Sequence, residues 1–407
     1  MKNLNAHYLD DEWNVSGTDE EQFRSLIREV SETTYTKVIS PENFLIYSLL
    51  GFRKIKEQAF KVAIIDPDFA TIGVLLPNSK GCYFSDKNKN IGLMTFEQLR
   101  EAGITDNQIQ EIEEEGFLLQ YRTEKRTLTL LPSKMLLATL CRQLGIGKLN
   151  SGPEPLRDIY LASQMNQKKK FKMVYRKYQG NAKAFACFGP KYYAEPQTIV
   201  LDIIECLRKQ RFTDEISIKE WSVCHSNTVV NLEFKKMSQE YDGMKITPGV
   251  RLTTSDIGDS SYTLENILSI NENVVILKDL VARKHTSELE VDTFVKHYIK
   301  EVFPSIILLM SRIKKLDNVK VDNKKKTVLH LLEKSEFFHV LGIKNSMKVK
   351  DFLKQLPESS CTGKNVIIEV LQIPGHLKEL NIEPNNRIAK SIGSIFSFDL
   401  IKEIYKC

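Results

Sequence analysis

The chain has 407 residues, of which 42% are hydrophobic and 27% are charged, and its net charge is +6. Its length and hydrophobic fraction suffice for a large core and indicate two or three domains. No apolar run approaches the roughly 18 residues of a membrane span, and the acidic N-terminus is unlike a secretory signal. We therefore expect a cytoplasmic location and no membrane partner.

Polar and apolar patterns in the first 150 residues predict an N-terminal α+β region. Four apolar residues at helical spacing indicate a helix with one buried face; they are Phe23, Leu26, Ile27 and Val30. Ser40 and Pro41 resemble the N-cap and first residue of a second helix.

Strand patterns follow in the same region, at 62–65, 71–76, 117–121 and 127–131. Ser133 is the expected N-cap of the next helix. Residues 145–148, Gly-Ile-Gly-Lys, lack the Ser or Thr that follows the lysine of a phosphate-binding loop. We therefore expect a helix C-cap there rather than a nucleotide site.

Residues 150–155 are rich in turn-forming residues and predict a linker. Beyond the linker, residues 156–285 have the pattern of a central α/β domain, and residues 286–407 that of a mainly helical C-terminal region. Helices are expected at 291–313, 328–341, 349–356, 365–371 and 387–404. The predicted fold class is α+β: a mixed α/β centre, a helical C-terminal region and a separate mixed N-terminal region.

Seven cysteines are scattered along the chain without a Cys-x-x-Cys pair. We interpret them as reduced thiols, because their number is odd and their spacing fits neither a disulfide framework nor a zinc site. The sequence predicts no metal and no cofactor.

The excess positive charge is concentrated in residues 165–185, which contain seven cations and no acid. Cations neutralise phosphates and aromatic faces stack on unpaired bases, so this stretch is a candidate nucleic-acid interface. The alternative is a half-buried strand with a solvated cationic face, because Phe171, Met173 and Tyr175 alternate with period two. The candidate binding residues are Lys168, Lys169, Lys170, Phe171, Lys172, Tyr175, Arg176, Lys177 and Tyr178.

A second cluster of polar residues lies around Gly258. Its carboxylates and hydroxyls would form a polar pocket or part of a Mg²⁺ or Ca²⁺ site. The alternative, which we favour, is a turn whose side chains bond their own backbone while Gly258 supplies a positive φ. The possible pocket residues are Ser255, Asp256, Asp259 and Ser260.

Four strings resemble motifs of the phage/plasmid-like family known as domain of unknown function 932. They are 191–196 (KYYAEP), 223–228 (VCHSNT), 249–264 (GVRLTTSDIGDSSYTL) and 386–393 (NRIAKSIG). The resemblance covers about 156–400 and implies a mobile-element protein with an α+β core and no assigned catalytic residues. This chain departs from the family in having Asp256 instead of Glu, Asp259-Ser260 instead of a glycine-bearing pair, and the Cys/Asn string before the turn.

These observations predict a phage- or plasmid-encoded accessory protein that binds nucleic acid in replication, recombination or protection of mobile-element DNA in the host cytoplasm. The alternative is a protein–protein module of phage origin, either a virion or assembly component or an inhibitor of a host defence complex. A third hypothesis is a metal-dependent enzyme acting on nucleic acid or nucleotides through Asp256 and Asp259. Whether the protein is an enzyme stays open; we favour a non-enzymatic role and assign no catalytic residue, because a metal site usually draws carboxylates from several elements. The possible partners are nucleic acid and host or phage proteins, and the sequence specifies no oligomeric state.

Overall fold

The computed structural model describes residues 4–40, 44–48, 62–65, 85–86, 89–90, 93–94, 100–101, 105–107, 117–122, 127–147, 170–210, 215–241, 243–258, 260–270 and 273–406. Within these residues, helices combine with antiparallel and mixed sheets, so the predicted α+β fold is confirmed. None of the described helices is long and apolar enough to cross a bilayer.

The strands are β1 Asn14–Gly17, β2 Thr34–Ile39, β3 Phe44–Ser48, β4 Val62–Ile65, β5 Ser85–Asp86, β6 Lys89–Asn90, β7 Leu93–Met94, β8 Phe117–Arg122, β9 Thr127–Pro132, β10 Phe171–Tyr178, β11 Asn181–Phe188, β12 Ile216–Cys224, β13 Thr228–Phe234, β14 Gln239–Tyr241, β15 Met244–Thr254, β16 Tyr262–Ile270, β17 Asn273–Arg283, β18 Lys320–Val321 and β19 Cys361–Thr362. The helices are α1 Glu20–Thr33, α2 Lys134–Gln143, α3 Ile199–Arg208, α4 Val291–His297, α5 Phe303–Lys315, α6 Lys324–Lys334, α7 Phe337–Leu341, α8 Ile343–Leu353, α9 Gly363–Glu379, α10 Asn386–Ser394 and α11 Leu400–Ile404. A π-helical turn, Tyr298–Val302, joins α4 to α5.

The first sheet is antiparallel and has the order β1-β12-β13-β15-β16-β17, with β14 beside β15. Apolar residues alternate with polar ones along its strands, so each strand has an apolar and a polar face. The apolar face joins α1, α3 and the C-terminal helices in one core cluster. Helix α10 covers part of the more polar face, where Ala389 packs against Ile267 and Ile276.

The second sheet has the order β2-β10-β11-β9-β8-β3-β4-β7, and its β9–β11 pair is parallel. Helix α2 packs on this sheet, and the side chains between them form a separate core cluster. Ser133 caps α2 as predicted, because its Oγ accepts a hydrogen bond from the backbone N–H of Leu136 at 2.9 Å. Gly145, with φ of 78°, follows the end of α2, which agrees with the predicted C-cap.

The described elements confirm several sequence predictions and contradict one. The stripe predicted for α1 is confirmed, since all four of its apolar residues are buried. Strands form at 117–122 and 127–132, and the C-terminal region is mainly helical, as predicted. The helix start predicted at Ser40 is wrong: Phe44–Ser48 is a strand that pairs with β8, and these sheet contacts override the capping pattern. The strand predicted at 71–76 lies outside the described residues.

The cores do not divide at residues 150 and 285, where the sequence patterns placed domain boundaries. Strand β1 forms one edge of the first sheet, and α1 contributes its apolar face to the core beneath that sheet. The indole Nε1 of Trp221, on β12, donates to the backbone oxygen of Asp19 at 2.9 Å and fixes the start of α1. The N-terminal segment thus belongs to the same core as the helical C-terminal region.

Candidate functional site

The basic, aromatic stretch forms β10, in agreement with the alternation of its sequence. Phe171 and Tyr175 are buried with Met173 in the cluster beneath α2. Val174 and Arg176, on the opposite side of the strand, are buried as well. Both faces of the middle of β10 are therefore buried, and the solvated cationic face expected there does not form. The rings of Phe171 and Tyr175 are not available to stack on a base.

Arg176 is fully buried in a polar network between the two sheets. Its Nη2 donates to both carboxylate oxygens of Asp256, at 3.0 and 2.9 Å, and its Nη1 donates to Nδ1 of His225. Its Nε donates to Oγ1 of Thr34 at 3.2 Å, and the guanidinium lies over the Phe185 ring. These partners satisfy a charge that would otherwise be very costly to bury. Arg176 therefore joins the sheets and is not a phosphate contact.

His225 is held neutral by this arrangement. Burial and the adjacent Arg176 charge lower its pKa from 6.5 to about 2. A neutral imidazole can accept the hydrogen bond from Arg176, whereas an imidazolium cannot. Sequence inspection missed this role because Arg176 lies on the second sheet and His225 in the turn after β12 of the first, and no local pattern relates them.

The segment around Gly258 is a turn between β15 and β16, and its Ser255 and Asp256 side chains are engaged within the protein. Asp256 is paired with Arg176, and Ser255 is fully buried with its Oγ accepting from the N–H of Ile257 at 3.3 Å. Gly258 has a φ of 75°, as the turn interpretation predicted. The backbone oxygen of Ser260 is 3.0 Å from Nε2 of His285, and Asp259 lies outside the described residues. The favoured interpretation as a turn therefore fits the described part of this segment.

Metal ligation has no structural basis in the part of the chain that is described. No group of three or more His, Cys, Asp or Glu side chains there is placed to hold an ion. Asp256, the described carboxylate of the predicted half-site, is already bound by a guanidinium.

The remaining candidates of the basic stretch lie at its ends. Lys168 and Lys169 fall outside the described residues, and Lys170 and Lys177 are exposed. Lys172 donates through Nζ to the backbone oxygen of Tyr192 at 2.7 Å, and half-buried Tyr178 donates through its hydroxyl to the oxygen of Leu4. The last two side chains are therefore engaged within the protein.

Strand β2, at the edge of the second sheet, adds residues that sequence inspection missed. Tyr35 is 43% exposed and stacks on Tyr175 with ring centroids 5.5 Å apart. The Nζ of Lys177 lies 5.4 Å from the Tyr35 centroid, and exposed Lys37 is two residues along the same strand face. We call Tyr35, Lys37 and Lys177 the β2 surface. The run of β-forming residues at 34–39 was the available signal for this strand.

The first sheet presents a second site on its polar face, which we call the sheet groove. Its cavity has a volume of about 990 Å³ and extends from β1 to α10. Its floor carries Glu220, Asn231, Arg251 and Glu265 on four adjacent strands, and Lys390 of α10 stands at its wall. Sequence inspection missed this row because its members are brought together only by strand pairing.

No protein-family model, curated protein or solved structure matches this chain. The resemblance to the phage/plasmid-like family therefore stays a prediction.

Proposed function

We propose that this protein binds single-stranded nucleic acid through the β2 surface, as a phage- or plasmid-encoded accessory protein in the host cytoplasm. In this role it acts in replication, recombination or protection of mobile-element DNA. The observation that carries the proposal is the exposed Tyr35 ring with the Lys177 ammonium beside it.

The chemistry of the β2 surface supports a single strand over a duplex. An exposed ring stacks on an unpaired base, and every base has a face suitable for stacking. Lys37 and Lys177 add two cations for phosphates, and Lys170 lies at the other end of β10, directly after Lys168 and Lys169 in the sequence. The proposal moves the contact from the interior of β10 to its neighbour β2, because Phe171, Tyr175 and Arg176 are buried.

Replacing Tyr35, Lys37 and Lys177 by alanine tests this proposal. We expect Tyr35→Ala alone to weaken binding of a single-stranded oligonucleotide by about 1–3 kcal/mol, the usual contribution of one stacked base. The two lysine changes should reduce the salt dependence of binding, because fewer counterions are released. Fluorescence anisotropy at several salt concentrations measures both effects.

Tyr405→Ala with Lys402→Ala is a matched control, since both side chains are exposed on or next to α11. These changes remove the same side-chain types and should leave the affinity unchanged. Equal affinity of the wild-type and the triple variant would exclude the β2 surface as the contact.

The second candidate function is the protein–protein module, either a virion or assembly component or an inhibitor of a host defence complex. The observation that favours it is on α8, where Ile343 is 85% exposed and Met347, one turn later, is 63% exposed. Exposed apolar side chains in proximity are typical of interaction sites. Size-exclusion chromatography with light scattering separates the candidates, because a large homo-oligomer free of nucleic acid favours assembly.

A further inference from the structure

The sheet groove contains a continuous row of polar side chains across four strands. Glu220 pairs with Asn231, Asn231 with Arg251, and Arg251 with Glu265 in the strand register. Side chains at paired positions lie on one face of a sheet about 5 Å apart. The row therefore forms a single polar surface on the groove floor.

The two ends of this row are satisfied within the protein. Asn231 donates through Nδ2 to Oε1 of Glu220 at 2.7 Å. At the other end, Lys390 donates through Nζ to Oε1 of Glu265 at 2.6 Å. Each carboxylate thus has a hydrogen-bond partner, which for Glu265 is a cation and for Glu220 a neutral amide.

The middle of the row is not satisfied among the described residues. Asn231 is only 4% exposed, yet its Oδ1 has no hydrogen-bond partner there. The partly buried guanidinium of Arg251 makes no hydrogen bond to a described residue. Burial lowers its pKa, and the nearby carboxylates of Glu265 and Glu220 oppose that shift. Buried polar groups normally have partners, so the unsatisfied acceptor of Asn231, next to a guanidinium that makes no hydrogen bond to a described residue, indicates a missing ligand.

The charges around the groove restrict what that ligand is. The described lining has three carboxylates, on Glu220, Glu265 and Glu383, against two cations, on Arg251 and Lys390. This small negative excess disfavours a polyanion such as nucleic acid. A single anionic group fits Arg251, and a hydrogen-bond donor next to it fits Oδ1 of Asn231. Threonine and serine hydroxyls fill the neighbouring row and suit further polar groups.

We propose that the sheet groove binds a small molecule with one carboxylate beside an amino or hydroxyl group. The carboxylate accepts two hydrogen bonds from Arg251, and the amino or hydroxyl group donates to Oδ1 of Asn231. The groove lies on the first sheet and the β2 surface on the second, so this proposal does not rest on nucleic-acid binding.

Titration calorimetry on the full chain tests the proposal with four probes. Serine carries an α-amino group and a side-chain hydroxyl beside its carboxylate, and lactate carries an α-hydroxyl only; acetate lacks the donor and ethanolamine lacks the carboxylate. We expect serine or lactate to bind more tightly than acetate and ethanolamine, and the comparison of serine with lactate shows whether the amino group adds affinity. Arg251→Gln should weaken this binding roughly ten- to hundredfold, because a charge-assisted contact is lost.

Arg283→Gln is the matched control, since Arg283 is an exposed arginine of the same sheet that does not line the groove. It should bind the probe as the wild-type does. Arg251→Lys keeps the charge but loses the planar guanidinium, so it should also weaken binding. This variant tests the proposal if Arg251→Gln does not fold. Absence of serine and lactate binding, or equal affinity of the Arg251 variants and the wild-type, would overturn the proposal.

Discussion

Arg176 illustrates why a cationic residue in a basic stretch does not by itself identify a phosphate contact. Its neighbours in sequence include exposed lysines, but its own side chain is fully buried against Asp256 and His225. Alternation predicted that β10 is a strand, and it placed Phe171, Met173 and Tyr175 together. It did not show that a second layer covers the opposite face, because His225 and Asp256 lie 49 and 80 positions later in the chain.

Removing the Arg176 charge should strongly destabilise the protein. We expect Arg176→Leu to lower the free energy of unfolding by about 3–5 kcal/mol, because Asp256 is left as an unpaired buried charge. The double variant Arg176→Leu, Asp256→Leu should recover much of that loss, since no isolated charge remains. Urea unfolding measures all three proteins, and a double variant no more stable than the single one would contradict this account.

His225 should make stability depend on pH. Its folded pKa of about 2 lies below its ordinary value of 6.5, so the unfolded chain binds a proton that the native state does not. The contribution of His225 to the free energy of unfolding is therefore fully present above pH 6.5. It decreases as the pH falls, by up to about 1.4 kcal/mol per pH unit.

His225→Gln retains an oxygen that can accept from Arg176 but does not titrate. Urea unfolding at pH 7 and pH 5 should show a smaller loss of stability in this variant than in the wild-type. Identical losses would show that His225 is not neutral in the folded protein.

At the scale of elements, strong local sequence patterns located helices such as α1, whereas edge strands could not be predicted from their own sequences. Helix α1 has an N-cap, Asp19, whose Oδ1 accepts from the N–H of Gln22 at 2.6 Å, and a regular apolar stripe, so its sequence suffices to locate it. Strand β1 has four residues, Asn-Val-Ser-Gly, with little apolar character, and it is a strand because β12 offers it hydrogen bonds. The sheet groove was likewise invisible in the sequence, since its row is set by the register of four strands.

At the scale of the whole molecule, the α+β class followed from composition and periodicity, but the division into regions did not predict the core. Periodicity reports which face of an element is apolar, not which distant element covers it. Here β1, from the start of the chain, is an edge of the first sheet. Helix α1, from the start of the chain, and helix α11, from its end, both contribute to the core beneath that sheet. The mixed second sheet similarly combines β2 with strands from both sides of residue 150.

A fragment starting at residue 151 should therefore fail to fold alone, although the sequence pattern predicts that its domains are separate from residues 1–150. It lacks β1 and α1, which leaves the Trp221 side of the core uncovered. Circular dichroism should show a non-cooperative thermal transition for this fragment, and a peptide of residues 4–40 should restore cooperativity. A cooperative transition of the fragment without the peptide would contradict this prediction.

The position of β1 also has a consequence for synthesis. Asp19 and its partner Trp221 are 202 residues apart, so the N-terminal segment emerges long before the strand that it needs. At about 5–20 residues per second, a ribosome takes roughly 10–40 s to cover that interval. During this time the apolar stripe of α1 lacks its native cover, so we expect it to be exposed to chaperones. Closing such a long loop is slow, so we expect the first sheet to complete its edge late in folding.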